Sequence, residues 1–306
     1  MIAVPSFTRK AVTRADLRDD AEDLAQLLPP LLVQAEAAAS SVALGVHGRR
    51  KAGMGETFWQ FRRYRAEDPA SVIDWRQSAR TQHIFVRERE WEVAETVRFW
   101  RDASPGMHFS SSNEVPTKAQ RASVLLLALA SLLVRGGERV GLHGDATPPA
   151  TGRATLHRIA LALNDSADSD GTLPPEIAPG RHASLIWLSD FMQPLNDIEA
   201  RMSALAAAGI RGFLVMVSDP AEEDFPFLGR VKFEAPTVSR DARVFGRAES
   251  IREDYRMRFA AHVDAIGLMA RRLNWTLTRH RTDKPPQTAL IALYAALGGP
   301  RASRGF

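Results

Sequence analysis

Residues 97–104 read VRFWRDAS and residues 122–134 read ASVLLLALASLLV, so an apolar run that ends in an acid is followed by a segment that is apolar on every side. The first predicts a strand over residues 97–101, and the second predicts a buried helix over residues 117–134. Further strands are predicted over 139–143, 183–188, 213–217 and 275–278, with helices over 153–163, 195–208, 249–273 and 288–297. This alternation predicts an α/β fold whose mostly parallel sheet is covered by helices on both faces.

The composition of the 306-residue chain is that of an ordinary globular protein, with 45% hydrophobic and 25% charged residues. It contains no cysteine, which excludes disulfides, iron–sulfur clusters and zinc sites built on thiolates. Basic residues number 40 and acidic residues 36, so the formal net charge of +4 is too small to indicate a nucleic-acid-binding protein.

The distribution of residue types predicts three parts of the chain. Residues 1–41 are expected to form an N-terminal helical arm, residues 42–95 a small β-rich block, and residues 96–300 the doubly wound sheet. The start of the chain lacks the apolar stretch of a signal peptide, and the run at 122–134 is shorter than the roughly 20 residues needed to cross a bilayer. We therefore expect a cytoplasmic protein with no membrane span.

Four of the predicted strands run into an aspartate. Because the carboxyl ends of parallel strands meet at one edge of a sheet, these acids and the serines beside them are expected to gather there. Their oxygen atoms suit a hard divalent cation such as Mg²⁺. An aspartate at the end of a strand can equally cap the following helix, and this alternative has about equal weight for Asp145 and Asp219. The acids are Asp102, Asp145, Asp190 and Asp219, and the serines are Ser104, Ser189 and Ser218.

The segment Asp102-Ala-Ser104-Pro-Gly106 resembles the Asp-x-Ser-x-Ser metal-ion-dependent adhesion motif of von Willebrand factor A domains. Ser189-Asp190-Phe191 resembles the later strand end that completes the same site. The resemblance implies an Mg²⁺ ion held by Asp102, Ser104 and Asp190. Gly106 stands where that family has its second serine, which implies a degenerate site with one position left to water.

The upstream block is similar to the signature of the domain of unknown function 58 family. Its most specific part runs from Ile73-Asp74-Trp75 to Arg80, and the similarity extends over about residues 45–297. Members of this family have a von Willebrand factor A-like fold and are commonly encoded beside MoxR-type AAA+ ATPases. The resemblance therefore implies that fold, with such an ATPase and other von Willebrand factor A-like proteins as partners.

Five residues of this signature combine a guanidinium fork, carboxylates and large amphipathic rings, and they admit two interpretations. They form a partner-binding surface, since Arg, Tyr and Trp dominate the energetics of interfaces. Alternatively they form an internal brace in which Arg80 pairs with Asp74 or Asp68, because Arg is the usual partner in buried or bidentate ion pairs. The five residues are Tyr64, Asp68, Asp74, Trp75 and Arg80.

These features favour a non-enzymatic protein-interaction module that works with a MoxR-type ATPase in chaperone-like assembly or maturation. In this hypothesis an Mg²⁺ ion on the acidic edge accepts a carboxylate of the partner. The sequence has no P-loop, no Gly-x-Ser-x-Gly elbow and no His-Glu-x-x-His spacing. One alternative is an Mg²⁺-dependent phosphoesterase or nuclease that uses Asp102, Asp190 and Asp219. Another is a structural subunit whose metal site has decayed.

Overall fold

The described part of the chain contains one central sheet and two small antiparallel sheets. A computed structural model describes residues 35, 37–42, 58–64, 73–80, 83–89, 95–165, 171–177, 183–234 and 242–297. In chain order the strands are β1 (Phe58–Arg63), β2 (Phe85–Arg89), β3 (Thr96–Arg101), β4 (Arg139–Leu142), β5 (Ser184–Ser189), β6 (Arg211–Ser218), β7 (Val231–Glu234), β8 (Ala242–Phe245) and β9 (Thr276–Arg281). The central sheet is parallel throughout, in the order β4-β3-β5-β6-β9, while β1 pairs with β2 and β7 with β8.

Helices precede, connect and follow the parallel strands. They are α1 (Trp75–Ser78), α2 (Lys118–Arg135), α3 (Arg153–Asp165), α4 (Leu195–Ala207), α5 (Pro220–Asp224), α6 (Arg252–Arg272) and α7 (Pro286–Leu297). Two 3₁₀ turns, Pro105–His108 and Ala248–Ile251, precede α2 and α6 respectively. Within the described residues, no helix is both long enough and apolar enough to cross a membrane.

The central strand β5 shows why this sequence forms a sheet covered on both faces. All six of its residues are buried, as expected for a parallel strand between two layers of helices. Leu185 and Trp187 belong to the apolar cluster that contains residues of α4 and α6. Ile186 and Leu188 belong to the cluster on the other face, which contains residues of α2 and α7. Successive side chains of a strand point to opposite faces, so one strand contributes to two cores.

Helix α2 is positioned by a capping box at Thr117, the residue before its first turn. The backbone N–H of Gln120 donates to the Thr117 hydroxyl at 3.2 Å, and the N–H of Thr117 donates to Gln120 Oε1 at 3.0 Å. These bonds satisfy two of the free amides at the start of the helix. The cap thereby fixes Lys118, the first residue of α2, near the carboxyl ends of the strands.

The strand order reverses between β3 and β5. The chain leaves β3 for β4 on one side of the sheet, then crosses over to β5 on the other side of β3. In open parallel sheets, ligands bind in the crevice that this reversal opens at the carboxyl ends of the strands. The loops that follow β3 and β5 lie at this crevice, and they carry Asp102 and Asp190.

The alternation of strands and helices predicted from the sequence is confirmed, and a mostly parallel α/β sheet is present. Each predicted helix and strand of the region after residue 95 has a counterpart. The predicted helix over 249–273 begins instead as the 3₁₀ turn Ala248–Ile251 and becomes α-helical at Arg252. Strands β7 and β8 and the short helix α5 were not predicted. Of the predicted N-terminal arm, residues 35 and 37–41 are helical, and residues 1–34 and 36 lie outside the described residues.

Candidate functional site at the carboxyl ends of β3 and β5

Asp102 follows β3 directly and is completely buried. Its Oδ2 atom accepts hydrogen bonds from the Ser189 hydroxyl at 2.7 Å and from Gln193 Nε2 at 2.8 Å. Its Oδ1 atom accepts the backbone N–H of Ser104 at 2.8 Å. The carboxylate thus links the end of β3 to the end of β5, and both of its oxygen atoms are used by donors of the protein.

The two aspartates of the predicted metal site lie near each other. Burial raises the pKa of Asp102, the hydrogen bonds from Ser189 and Ser104 lower it, and the nearby charge of Asp190 raises it further, so that the pKa lies above the usual range. Asp190 is itself 4% exposed. The structure therefore brings Asp102, Ser104 and Asp190 to one edge of the sheet, where the strand pattern places them.

A lysine that sequence reasoning missed lies beside Asp190. The ammonium nitrogen of Lys118 is 2.8 Å from Asp190 Oδ2 and 2.5 Å from Glu222 Oε1. Only 1% of Lys118 is exposed. Burial lowers the pKa of Lys118, but the two carboxylates outweigh it, and the pKa is raised overall. Lys118 is therefore a buried, charged ammonium group that bridges two acids.

Two signals in the sequence could have pointed to Lys118. The chain has 5 lysines among its 40 basic residues, and this one stands four positions before the long apolar run that begins at Ala122. A cation in the first turn of a helix opposes the helix dipole, so a lysine at this position is unfavourable for the helix itself. It is compensated by Asp190 and Glu222, which come from distant parts of the chain.

Asp219 takes the alternative role, that of a helix cap, whereas Asp145 caps no helix and bonds within a turn. Asp219 accepts the N–H of Ala221 at 2.8 Å and forms a capping box with Glu222 at the start of α5. Its other oxygen accepts the N–H of Ser111 at 2.9 Å, which ties the loop after β3 to the end of β6. Asp145 accepts the N–H of Thr147 at 2.9 Å within its own turn.

The residues at this edge do not fit a divalent cation in the arrangement observed. Both oxygens of Asp102 accept hydrogen bonds, and those of Asp190 accept from the ammonium of Lys118 and from the N–H of Met192 at 3.1 Å. Gly106, in place of the second motif serine, lies in the 3₁₀ turn Pro105–His108 and supplies no side-chain ligand. Among the described residues, no three His, Cys, Asp or Glu side chains are grouped as metal ligands.

Phe191 holds the loop after β5 in an unusual backbone conformation. Its φ angle of 56° lies in the left-handed region, which costs energy for a residue with a Cβ atom. Its N–H donates to the Ser189 hydroxyl at 2.9 Å, and its carbonyl lies 2.6 Å from Nε2 of His262 on α6. Its buried ring packs 5.1 Å from that of Trp187. These contacts compensate the strain and fix the direction in which the chain leaves Asp190.

Two exposed apolar side chains flank the buried ion pair. Phe109 follows the 3₁₀ turn after β3 and is 40% exposed, and Met192 follows Phe191 and is 44% exposed. The carbonyl of Phe109 accepts the N–H of Lys118 at 3.3 Å, and its ring centroid lies 5.9 Å from the Lys118 ammonium. Met192 donates its N–H to Asp190. The pair Lys118–Asp190 therefore anchors both exposed residues.

The signature residues of the β-rich block lie apart from these strand ends in the sequence. Trp75, at the start of α1, is 65% exposed, and Arg80 is exposed as well. Tyr64 and Asp74 are half-buried. Asp68 lies outside the described residues.

Backbone hydrogen bonds join this block together. The N–H of Tyr64 donates to the carbonyl of Ile84 at 2.8 Å, and the N–H of Asp74 donates to that of Phe85 at 2.9 Å. The brace in which Arg80 pairs with Asp74 or Asp68 stays a prediction.

Comparison with known proteins gives relatives and a family. The chain is 26% identical over 295 residues to the uncharacterized protein Rv1480 of Mycobacterium tuberculosis and to the uncharacterized protein Mb1516 of Mycobacterium bovis, with 88% of each chain covered. An aerotolerance-related membrane protein from Bacteroides fragilis is 15% identical with a TM-score of 0.42, and BatB from Bacteroides thetaiotaomicron is 14% identical with a TM-score of 0.38. Each match covers 67% of this chain and 99% of the other. The family described as "protein of unknown function DUF58" matches residues 60–265, and the chain belongs to this family.

Proposed function

We propose that this protein is a non-enzymatic protein-interaction module that works with a MoxR-type AAA+ ATPase in chaperone-like assembly or maturation. The observation that carries the proposal is the pair of exposed apolar residues, Phe109 and Met192, held over the buried ion pair Lys118–Asp190. Exposed apolar side chains on a rigid support are suited to binding a protein partner, because little conformational freedom is lost on association. We call Phe109 and Met192 the docking pair.

The acids beneath the docking pair support binding more than catalysis. A general base or nucleophile needs a free lone pair within reach of a substrate. Asp102 is completely buried and accepts three hydrogen bonds from the protein, and Asp190 and Glu222 share the ammonium of Lys118. The choice of an ATPase as partner rests on the resemblance of the signature block, which implies a von Willebrand factor A-like fold and a MoxR-type ATPase as partner.

The proposal is tested by measuring the affinity of the purified protein for the purified MoxR-type ATPase encoded by the same organism. The double variant Phe109→Ser/Met192→Ser removes the docking pair. We expect its Kd to rise by about tenfold or more, which corresponds to roughly 1.4 kcal/mol. A matched control, Leu161→Ser/Leu268→Ser, changes side chains of α3 and α6 that are 43% and 50% exposed.

The control should bind as the wild type does, and circular dichroism should show both variants folded. Equal affinity of wild type and docking-pair variant, or no binding of the ATPase by the wild type, would contradict the proposal. Hydrolysis of phosphoester substrates by the purified protein with Mg²⁺ or Mn²⁺ would favour the phosphoesterase alternative instead.

A further inference from the structure

We infer that Lys118 acts as a built-in cation that takes the place of a divalent metal ion at the carboxyl ends of β3 and β5. The inference deepens the proposed function, because it implies that the docking pair is held without Mg²⁺. The charge arrangement itself is a property of this chain alone and does not depend on which partner binds.

The geometry of Lys118 is that of a bridging cation. Its ammonium group contacts carboxylates from two separate elements, Asp190 after β5 at 2.8 Å and Glu222 in α5 at 2.5 Å. A metal ion in such a place would join the same elements through the same oxygen atoms. The ammonium also lies 5.9 Å from the ring centroid of Phe109. One positive charge therefore connects the loop after β3, the loop after β5 and helix α5 at this edge of the sheet.

A divalent ion would compete with Lys118 for these oxygens. To coordinate Asp190 it would have to displace the ammonium or lie close to it, and like charges in a buried site repel strongly. A displaced Lys118 would leave an unpaired charge in a position that is 1% exposed, which is strongly unfavourable. Asp102 and Ser104 remain as candidate ligands. Asp102 is completely buried and accepts hydrogen bonds from Ser189, Gln193 and the N–H of Ser104.

The experiment uses the purified protein alone, with Mg²⁺ and Mn²⁺ as probes. Isothermal titration of the wild type should give no saturable binding, and its Tm should be the same with millimolar Mg²⁺ and with EDTA. The variant Lys118→Ala should melt roughly 5–10 °C lower, because it takes the ammonium partner from the buried Asp190 and the half-buried Glu222. Mg²⁺ should raise the Tm of this variant by several degrees, and adding Asp190→Asn should abolish that response.

A control variant, Lys232→Ala, removes an exposed lysine that pairs with Glu234 on β7, and it should melt as the wild type does with no response to Mg²⁺. Saturable binding of Mg²⁺ by the wild type would overturn the inference. So would a Lys118→Ala variant that melts at the wild-type temperature without metal. If Lys118→Ala does not fold, it is replaced by Lys118→Gln, which still donates to Asp190. In that case the titration of the wild type with Mg²⁺ is enough to decide whether the inference holds.

Because these measurements contain no ATPase, they separate the two proposals. Binding of Mg²⁺ by the wild type would contradict the role of Lys118, but the docking pair would remain as proposed, with a metal ion beneath it. A failure of the ATPase to bind would remove the proposed partner but leave the role of Lys118 intact.

Discussion

The hydroxyl of Ser189, the last residue of β5, donates a 2.7 Å hydrogen bond to Asp102, the first residue after β3. The same hydroxyl oxygen accepts the N–H of Phe191. One small side chain therefore links two neighbouring strand ends and the strained residue that follows. Both Ser189 and Asp102 are completely buried, so neither can replace this bond by a bond to solvent.

Replacing this serine tests how much the link contributes. We expect Ser189→Ala to lower the free energy of unfolding by about 2 kcal/mol, because a buried carboxylate loses a donor and the N–H of Phe191 loses its acceptor. Urea unfolding measures the change. The control is Ser131→Ala, a buried serine of α2 with no bond to a carboxylate in the described chain, and it should change stability by less than about 0.5 kcal/mol. Equal effects of the two substitutions would contradict the prediction.

The stability of the protein should fall in mild acid because of His280. Burial and, to a smaller extent, the charge of Arg121 lower the pKa of His280 to about 4. The unfolded chain takes up a proton near pH 6.5, whereas the folded protein does so only near pH 4, so the unfolded state binds more protons between these values. The free energy of unfolding therefore has its full value above pH 6.5 and decreases as the pH falls toward 4, by up to about 3 kcal/mol.

The urea midpoint of wild type and His280→Gln, measured at several values between pH 7 and pH 4, checks this expectation. Burial also lowers the pKa of His143, which adds a loss of the same sign in both proteins. The variant should consequently show a smaller loss than the wild type. If the urea midpoint depended on pH equally in both proteins, His280 would not be the cause of the loss of stability in acid.

Gly212 on β6 has no room for a side chain. A Cβ atom there would lie 2.0 Å from Cε3 of Trp275, whose ring is 5% exposed and whose Nε1–H donates to the carbonyl of Ile210 at 3.2 Å. We expect Gly212→Ala to destabilise the protein by about 3 kcal/mol or more, because a buried indole must move. Gly246→Ala meets nothing within 4 Å and should be nearly neutral. A comparison of the two melting temperatures tests this.

The sheet was predictable from the sequence because buried parallel strands and their covering helices leave strong local signals. Strand β5 has an unbroken apolar run from Leu185 to Leu188, and α2 is apolar on every side from Ala122 to Val134. The meeting of Asp102 and Asp190 followed from the same pattern, since parallel strands end at a common edge. Strands β7 and β8 left no such signal, because each has 4 residues and exposes alternate or most side chains.

The ion pair at the candidate site could not be predicted in the same way. Glu222 reaches Lys118 only because Asp219 caps the short helix α5, and the two residues are 104 positions apart. A lysine before an apolar helix normally extends into solvent, so its burial depends on tertiary packing. The metal motif was readable in the sequence, whereas the ammonium group among its acids was not.

The buried residues at 35–42 bear on where this protein can be cut. Ala35, Ala38, Ala39 and Val42 belong to the apolar cluster that α2 and α7 share with the sheet. The family match begins only at residue 60. A fragment trimmed to that match would lack these four residues, which cover part of the apolar core. The core surface exposed in this way would make the fragment prone to aggregate. The family match is thus shorter than the stretch of chain that builds this apolar core, and truncation experiments should start upstream of Ala35.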